Sequence, residues 1–335
     1  MTMNVLVTGG AGFIGSHVAE NLVQAGMKVV CLDDLSGGSV ENVPRGATFI
    51  KGSITDGALV DGLFQEHRFR HVYHLAAYAA EGLSHFIRHF NYTNNVIGSI
   101  NLINASIRNE VERFVFTSSI AVYGHGHGSD GAFRESDVPQ PADPYGIAKL
   151  AVEQDLRAAY DMFGMRFTIF RPHNVYGERQ NAGDRYRNVI AIFMRQILEG
   201  SPLTIFGDGT QTRAFTYVGD VARDIARCCD LPVTINQTYN IGSSEVVSVT
   251  DLAHRVNRVM AGQQPIRNLP ARNEVKHAVS DHTLFFRDFG NHTTTALDTG
   301  LQRMAEWIGK HGAKKSPRFG DIEILRNLPS VWLED

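Results

Sequence analysis

The first half of the chain alternates short apolar runs with stretches long enough to form helices. Six runs rich in β-branched and aromatic residues recur in order, namely "NVLVTG", "KVVCLDD", "ATFIKGS", "HVYHLAA", "RFVFTSS" and "RFTIFRP". A helical crossover between two strands returns the chain to the same end of the sheet, so consecutive strands run parallel. The sequence therefore predicts an α/β fold, a doubly wound parallel sheet with helices on both faces.

From about residue 177 this alternation ends. The polar stretches "GERQNAGDRYRN" and "IFGDGTQTRAF" read as loops, whereas "VTDLAHRVNRVM" and "ALDTGLQRMAEWIGKHG" have the spacing of amphipathic helices. We expect a sheet domain over 1–176, to which later segments return, a smaller C-terminal α/β lobe over 177–312 that binds substrate, and a tail over 313–335 packed on the surface.

Composition narrows the class of protein. The chain has 335 residues, 43% apolar content and a formal charge of -3, which gives no sign of a nucleic-acid partner. It shows neither a cleavable leader nor an apolar run of the roughly 18 residues that span a membrane. Its three cysteines lack C-x-x-C spacing. We expect a cytoplasmic protein with reduced thiols, no membrane partner and no bound metal.

A glycine-rich turn, "VTGGAGFIGSH", comes directly after the first predicted strand and opens a helix. Gly9, Gly12 and Gly15 lack side chains, which permits a tight turn and lets backbone N–H groups approach a pyrophosphate. Phe13 and Ile14 begin the helix and belong to the same predicted cofactor site. Glycines at a strand–helix turn also occur for packing reasons, so the turn alone does not establish a cofactor site.

Two acidic residues, Asp33 and Asp34, end the second predicted strand. A carboxylate at this distance from the glycine turn chelates the adenosine ribose hydroxyls and repels a 2′-phosphate. Two solvated acids at a strand end are the alternative. Together with the glycines, the pair predicts NAD in preference to NADP.

The segment "DPYGIAKL" (143–150) reads as a helix start, with Asp143 as N-cap and Pro144 in the first turn. Tyr145 and Lys149 are four residues apart and therefore lie on one face. A free phenol titrates near ~10, and a fixed positive charge lowers that value. The pair is either an acid–base catalyst with its activating cation or a half-buried tyrosine beside a solvated lysine.

Several further motifs occur in a fixed order. They are "HLAA" (74–77), "NNVIGSINLINA" (94–105), "SSIAVYG" (118–124), "PYGIAK" (144–149), "RPHNVYGERQ" (171–180), "GDGTQTRAFTYVGDVA" (207–222), "YNIGSS" (239–244) and "RNEV" (272–275). With the glycine turn, they make the chain resemble the extended short-chain dehydrogenases/reductases, specifically the NAD-dependent nucleotide-sugar epimerase/dehydratase family (UDP-glucose 4-epimerase-like), over about residues 3 to 310. The resemblance implies a Rossmann-type fold, NAD as cofactor and a catalytic Tyr145.

The resemblance also implies residue roles. Ser119 hydrogen-bonds the reacting sugar hydroxyl, Tyr145 accepts its proton, and Lys149 holds the nicotinamide ribose and lowers the tyrosine pKa. The implied cofactor contacts, besides those named above, are Ser53, Ile54, Leu75, Ala76, Ala77 and Asn95. The implied substrate contacts, besides Ser119 and Tyr145, are Asn174, Asn188, Arg213 and Arg272. For the two arginines, surface salt bridges are the alternative.

Three departures from the family pattern stand out. Ser53 replaces an aspartate common at the adenine edge, and His173 replaces an aromatic residue beside Asn174. The loop "GHGHGSDGAF" (124–133) adds His125 and His127. Because no further ligands accompany them, we expect a mobile loop on the substrate side and no metal site.

Three functions compete at this point. The leading hypothesis is C4 epimerisation of a UDP-hexose through a 4-keto intermediate, and a nucleotide-sugar dehydratase or decarboxylase uses the same intermediate. The third is a cofactor-sensing regulator, which does not need Ser119, Tyr145 and Lys149 together. Dehydratases that resemble this chain carry acidic residues where it has Ile120 and Ala121, which favours epimerisation. The family further implies a homodimer that pairs the helices of 95–108 and 145–163.

Overall fold

The computed structural model describes residues 3–125, 131–184, 188–271, 277–291, 294–313, 319–320 and 322–329. Its main sheet has seven parallel strands in the spatial order β11-β6-β5-β4-β1-β2-β3. With strands numbered in chain order, they are β1 (Asn4–Thr8), β2 (Lys28–Asp33), β3 (Thr48–Lys51), β4 (His71–His74), β5 (Arg113–Thr117), β6 (Phe167–Pro172) and β11 (Gln237–Ile241). The predicted doubly wound parallel sheet is confirmed, and its first six strands are the six apolar runs.

Helices cover both faces of this sheet. In chain order, the α-helices of the described residues, including those that lie away from this sheet, are α1 (Phe13–Gln24), α2 (Gly57–His67), α3 (Glu81–Ser84), α4 (Arg88–Tyr92), α5 (Gly98–Arg108), α6 (Pro144–Phe163), α7 (Val189–Leu198), α8 (Val218–Arg227), α9 (Val249–Val259), α10 (Thr283–Phe289) and α11 (Leu297–His311). A π-helical segment, Thr93–Ile97, joins α4 to α5. Alternate strand residues point to opposite faces, so Leu6 packs in the core beneath α2, α5 and α6, whereas Val5 and Val7 pack beneath α1 and α8.

A second core lies away from the main sheet and is built by α7, α9 and α11. Short strands complete this region. They are β7 (Val175–Tyr176) paired with β10 (Thr216–Tyr217), β8 (Leu203–Phe206) paired with β13 (Ile266–Leu269), and β9 (Thr212–Ala214) between β12 (Val246–Ser248) and β14 (His277–Ala278). The predicted smaller α/β lobe is this second core. Within the described part of the chain, no helix is both long and apolar enough to cross a bilayer.

Candidate active site

One large cavity of about 1320 Å³ lies at the carboxyl ends of the strands of the main sheet, between that sheet and the lobe. This is where open α/β sheets place their ligands. Sequence-predicted residues that line it are Gly9, Gly12, Phe13, Ile14, Gly15, Asp33, Asp34, Ser53, Ile54, Leu75, Ala76, Ala77, Ser119, Tyr145, Lys149, Asn174, Asn188 and Arg213. Arg272 lies outside the described residues.

The glycine turn between β1 and α1 has no room for side chains. Gly9 has φ +70°, a left-handed conformation that favours glycine. A Cβ on Gly15 would lie 2.0 Å from the carbonyl oxygen of Gly9, and one on Gly12 would lie 3.0 Å from it. Gly12 is also the N-cap of α1 and supplies no side-chain cap. The bare N-terminus of α1 therefore faces the cavity and fits the pyrophosphate of a dinucleotide.

The Asp33 carboxylate is built into this turn. Its Oδ2 accepts a hydrogen bond from the Ala11 N–H at 3.0 Å, and its Oδ1 accepts one from the Leu35 N–H at 2.8 Å. Burial raises the pKa of Asp33, an effect that these backbone donors oppose. Asp34 Oδ1 accepts from the Ser36 N–H at 2.8 Å. The two carboxylates thus lie next to the glycine turn at the end of β2, where ribose chelation needs them.

The family resemblance predicts that the adenine side of the cavity lies at the end of β3. Ser53 and Ile54 both line it, and the Ser53 hydroxyl lies 2.9 Å from that of Thr55. Among the described residues, none of those that line the cavity at the end of β3 is an aspartate. An adenine bound here would receive its polar contact from a hydroxyl or from the backbone.

The loop after β4, Leu75 to Ala77, forms part of the cavity wall. Asn95 lies behind this loop, in the π-helical segment, and its side chain is buried. Its Oδ1 accepts from the Tyr78 N–H at 2.8 Å, and its Nδ2 donates to the Tyr78 carbonyl at 3.1 Å. The oxygen and the nitrogen of the Asn95 amide thus both support the loop, and Asn95 is not among the described residues that line the cavity, so its implied cofactor contact stays a prediction.

Ser119, Tyr145 and Lys149 are brought to the same part of the cavity by β5 and α6. Asp143 caps α6 by accepting from the Gly146 N–H at 2.9 Å, which confirms the predicted helix start. Ser119 lies just beyond β5, and its Oγ accepts from the Ala121 N–H at 3.1 Å. Tyr145 is buried on the first turn of α6, and the Lys149 Nζ lies 5.7 Å from the centre of its ring.

Lys149 lines the cavity and is held in place by its neighbours. Its Nζ donates to the Thr117 carbonyl at 2.8 Å and lies 4.8 Å from the Phe116 ring centre. Burial lowers the pKa of Lys149 to about 7, while the Glu153 carboxylate one helical turn away acts in the opposite direction. Lys149 is therefore not a solvated surface residue. The alternative interpretation, a half-buried tyrosine beside a solvated lysine, is wrong for Lys149.

A buried polar network lies behind these residues, and the sequence interpretation missed it. Glu153 accepts from the Ser118 Oγ at 2.6 Å and from the Arg171 Nε at 2.9 Å and Nη2 at 2.6 Å. Arg171 also donates to the Tyr123 hydroxyl at 2.7 Å. The network holds the end of β5 against α6 and β6. An acidic residue four positions after Lys149 was the available sequence signal.

On the lobe side, Asn174 has φ +43° and donates from Nδ2 to the Ala214 carbonyl at 3.0 Å. Asn188 is the N-cap of α7, and its Oδ1 accepts from the Ile190 N–H at 2.9 Å. Arg213 lies on β9 and donates from Nη1 to the Thr212 carbonyl at 2.8 Å. These three side chains extend the cavity away from the main sheet.

The histidines that departed from the family pattern have different positions. His173 is buried with its Nε2 3.2 Å from that of His282, and a Cβ on Gly242 would lie 1.9 Å from the same atom. Burial lowers the pKa of His173 to about 3, so it is a neutral packing residue at pH 7. His125 lines the cavity, whereas His127 lies outside the described residues.

Comparisons with known proteins agree with this geometry. Residues 5–242 match the model of the NAD dependent epimerase/dehydratase family. A UDP-glucose 4-epimerase from Mycolicibacterium smegmatis is 33% identical over 314 residues, which cover 91% of this chain and 98% of the relative.

Two solved structures also resemble the chain. The Thermotoga maritima UDP-glucose 4-epimerase with UDP-glucose has a TM-score of 0.87 at 35% identity, covering 92% of this chain and 99% of its own. A Bacillus cereus UDP-glucuronic acid 4-epimerase, in complex with UDP-glucuronic acid and NAD, has a TM-score of 0.84 at 30% identity, covering 92% of this chain and 100% of its own. The chain therefore belongs to the NAD dependent epimerase/dehydratase family, which confirms the predicted family, its NAD cofactor and its nucleotide-sugar enzyme class.

Proposed function

We propose that this protein is an NAD-dependent 4-epimerase of a UDP-hexose, of the UDP-glucose, UDP-N-acetylglucosamine or UDP-glucuronate type. The observation that carries the proposal is the placement of Ser119, Tyr145 and Lys149 in one cavity with the glycine turn and Asp33. A regulator that only senses the cofactor has no need of these three side chains.

Each of the three side chains has a separate task in this proposal. Tyr145 takes the proton from the C4 hydroxyl of the hexose and later returns it, and Ser119 hydrogen-bonds the same oxygen. Lys149, held by the Thr117 carbonyl 2.8 Å away, stabilises the phenolate of Tyr145. When bound, NAD supplies the hydride acceptor and donor for C4.

The lobe holds the nucleotide diphosphate in this proposal. Asn174 and Asn188 hydrogen-bond the diphosphate or the sugar, and Arg213 and Arg272 neutralise the pyrophosphate, for which a guanidinium is well suited. The names of the similar proteins, which specify UDP-glucose and UDP-glucuronic acid, support a UDP-sugar substrate.

Epimerisation rather than elimination is favoured by the residues after Ser119. Ile120 and Ala121 begin a short 3-10 helix and line the cavity, and neither can exchange a proton. Loss of water or carbon dioxide from the 4-keto sugar requires proton transfer at C5 or C6. Without a donor or acceptor in this segment, return of hydride to the opposite face of C4 is the faster outcome.

Product analysis tests the proposal. The NAD-loaded enzyme is incubated separately with UDP-glucose, UDP-N-acetylglucosamine and UDP-glucuronate, and the products are identified by NMR and mass spectrometry. We expect a C4 isomer of unchanged mass from at least one substrate, with no net NADH in the nicotinamide absorbance band at roughly 340 nm. A product lighter by one water or one carbon dioxide contradicts the epimerase assignment, and steady NADH formation indicates a dehydrogenase.

A further inference from the structure

The C-terminal part of the chain lies across the cavity wall formed by the residues after β4. We call residues 319–320 and 322–329 the C-terminal strap. The Phe319 ring centre lies 5.4 Å from that of Tyr78 and 4.8 Å from that of Phe90. Ile322 packs against the same small core, which is built around Leu83 and Ile87. The strap is therefore joined to residues 78–90 by apolar contacts.

The Glu323 carboxylate fixes the strap to the start of a long helical run. Its two oxygens accept from the backbone N–H groups of His89 and Phe90, each at 2.8 Å. These donors belong to the first turn of α4, which continues through the π-helical segment into α5. A carboxylate there accepts hydrogen bonds from N–H groups that have no partner within the helix, and its negative charge interacts favourably with the positive end of the helix dipole. The backbone N–H groups of Glu323 and Ile324 also donate to the Phe86 carbonyl, at 2.9 and 3.2 Å.

The wall that carries the strap is connected to the reacting end of the cavity. The Tyr145 N–H donates to the Ser84 Oγ at 3.3 Å, and that hydroxyl lies 3.5 Å from the Asp143 carboxylate at the start of α6. The adenine side, by contrast, is marked by Asp33 and Ser53 at the ends of β2 and β3. The strap is therefore attached on the Tyr145 side.

A turn in the strap reaches the cavity itself. The Leu328 N–H donates to the Leu325 carbonyl at 3.1 Å and closes the turn. Asn327 occupies it with φ +63°, a left-handed conformation that asparagine tolerates better than most residues. Asn327 and Pro329 line the cavity together with His85, Phe86 and Phe90. An amide at this position offers both a donor and an acceptor to an uncharged ligand group.

We propose that the C-terminal strap is part of the substrate site and that Asn327 contacts the hexose of the nucleotide sugar, through a hydroxyl or acetamido group. The inference rests on the proposed function for the identity of the ligand. In the proposed function the nucleotide diphosphate is held by the lobe, through Asn188 at the start of α7 and Arg213 on β9, so we infer that the strap contacts the sugar and not the uridine. This makes Asn327 a specificity residue that motif positions do not identify.

Binding measurements on the full chain test the contact. Asn327→Gly removes the amide and keeps the left-handed backbone unstrained. In NAD-loaded Asn327→Gly protein, calorimetry should show a dissociation constant for the UDP-sugar that is raised about fivefold or more, because one hydrogen bond is lost. The dissociation constant for UDP should change less than twofold. Arg326→Ala, in the same turn but not lining the cavity, is the matched control and should behave as the parent protein.

The outcomes separate the two proposals. Unchanged UDP-sugar binding in Asn327→Gly, or an equal loss for UDP alone, overturns the strap contact. Failure of the parent protein to bind any of the three UDP-sugars overturns both proposals, whereas binding without epimerisation overturns only the proposed activity.

A second variant tests the attachment of the strap. Glu323→Gln removes the capping charge, so trypsin should cleave after Arg326 at least about threefold faster, as local opening becomes more frequent. The UDP-sugar affinity should fall in the same variant while UDP binding is kept. An unchanged cleavage rate at Arg326, measured by mass spectrometry, would show that Glu323 does not hold the strap.

Discussion

The ammonium group of Lys149 lies in surroundings that disfavour its charge. Burial lowers its pKa from 10.5 to about 7, and the Thr117 carbonyl is its hydrogen-bond acceptor. In the unfolded chain the amine stays protonated until the pH approaches ~10.4. Between pH 7 and 10 the unfolded state therefore binds more protons than the folded state, and this group adds stability as the pH rises.

Replacing Lys149 with methionine should separate its catalytic task from its effect on folding. Lys149→Met keeps the length of the side chain and removes the buried amine, so we expect turnover to be lost while the free energy of unfolding of NAD-free protein rises at pH 7. This increase in the free energy of unfolding should shrink as the pH rises from 7 toward 10, because the folded lysine is then already neutral and the free-energy cost of removing its proton falls as the pH approaches the unfolded pKa of ~10.4. Urea unfolding at pH 7 and 9.5 measures this. An equal increase in the free energy of unfolding at both pH values would contradict the lowered pKa of Lys149.

Removing the Tyr145 hydroxyl should abolish chemistry without altering the fold. Tyr145→Phe keeps the ring in the first turn of α6, and loss of a general base typically costs ~100-fold or more in rate. Bound NAD and the thermal midpoint should match the parent protein. Tyr160→Phe, on the same helix but 41% exposed, is the control and should keep full activity. Near-normal turnover in Tyr145→Phe would show that Tyr145 is a packing residue and not a catalyst.

At the scale of elements, the β1–α1 turn depends on the absence of one side chain. A Cβ on Gly15 would lie 2.0 Å from the Gly9 carbonyl oxygen, and its nearest neighbours are all backbone atoms of Gly9 and Gly10, which cannot rotate away as a side chain can. We expect Gly15→Ala to lower the free energy of unfolding by about 1–3 kcal/mol, as overpacking does, and to lower NAD affinity at least about tenfold. Denaturant unfolding and the NAD content of purified protein measure the two effects.

Gly62 provides the matched control for this element. It lies in α2 with open space where a Cβ would be, so Gly62→Ala should be neutral or stabilising by up to ~1 kcal/mol. Equal destabilisation by Gly15→Ala and Gly62→Ala would mean that the close approach at the turn is not what matters.

At the scale of the whole molecule, we propose the homodimer that the family implies, built from the α5 and α6 regions. Apolar side chains remain exposed there, including Ile97 at 51% and Ile147 at 41%. Ile97→Glu places a charge on this surface and should give a monomer of about half the mass by size-exclusion chromatography with light scattering, because a buried unpaired charge opposes association. Val138→Glu, on a loop residue that is 78% exposed, should leave the mass unchanged. A parent protein that is already monomeric would contradict the dimer.

The sequence by itself determined the features that depend on neighbours a few residues away. Alternating apolar runs predicted the six strands, and Asp143 with Pro144 predicted the start of α6. The four-residue spacing of Tyr145 and Lys149 placed both on one helix face, and the glycines fixed the β1–α1 turn. Periodicity, capping and turn geometry are local, so they can be read without knowing the rest of the fold.

The tertiary structure alone decided which distant residues meet. Sheet order brings Arg171 on β6 against Glu153 on α6, and loop packing puts Asn95 behind Tyr78 and His173 against His282. Glu323 caps α4 from more than 230 positions away in the chain, and Asn327, four residues later, lines the cavity. Such contacts carry no periodic signal, since they depend on long-range packing that forms only when the whole core is assembled.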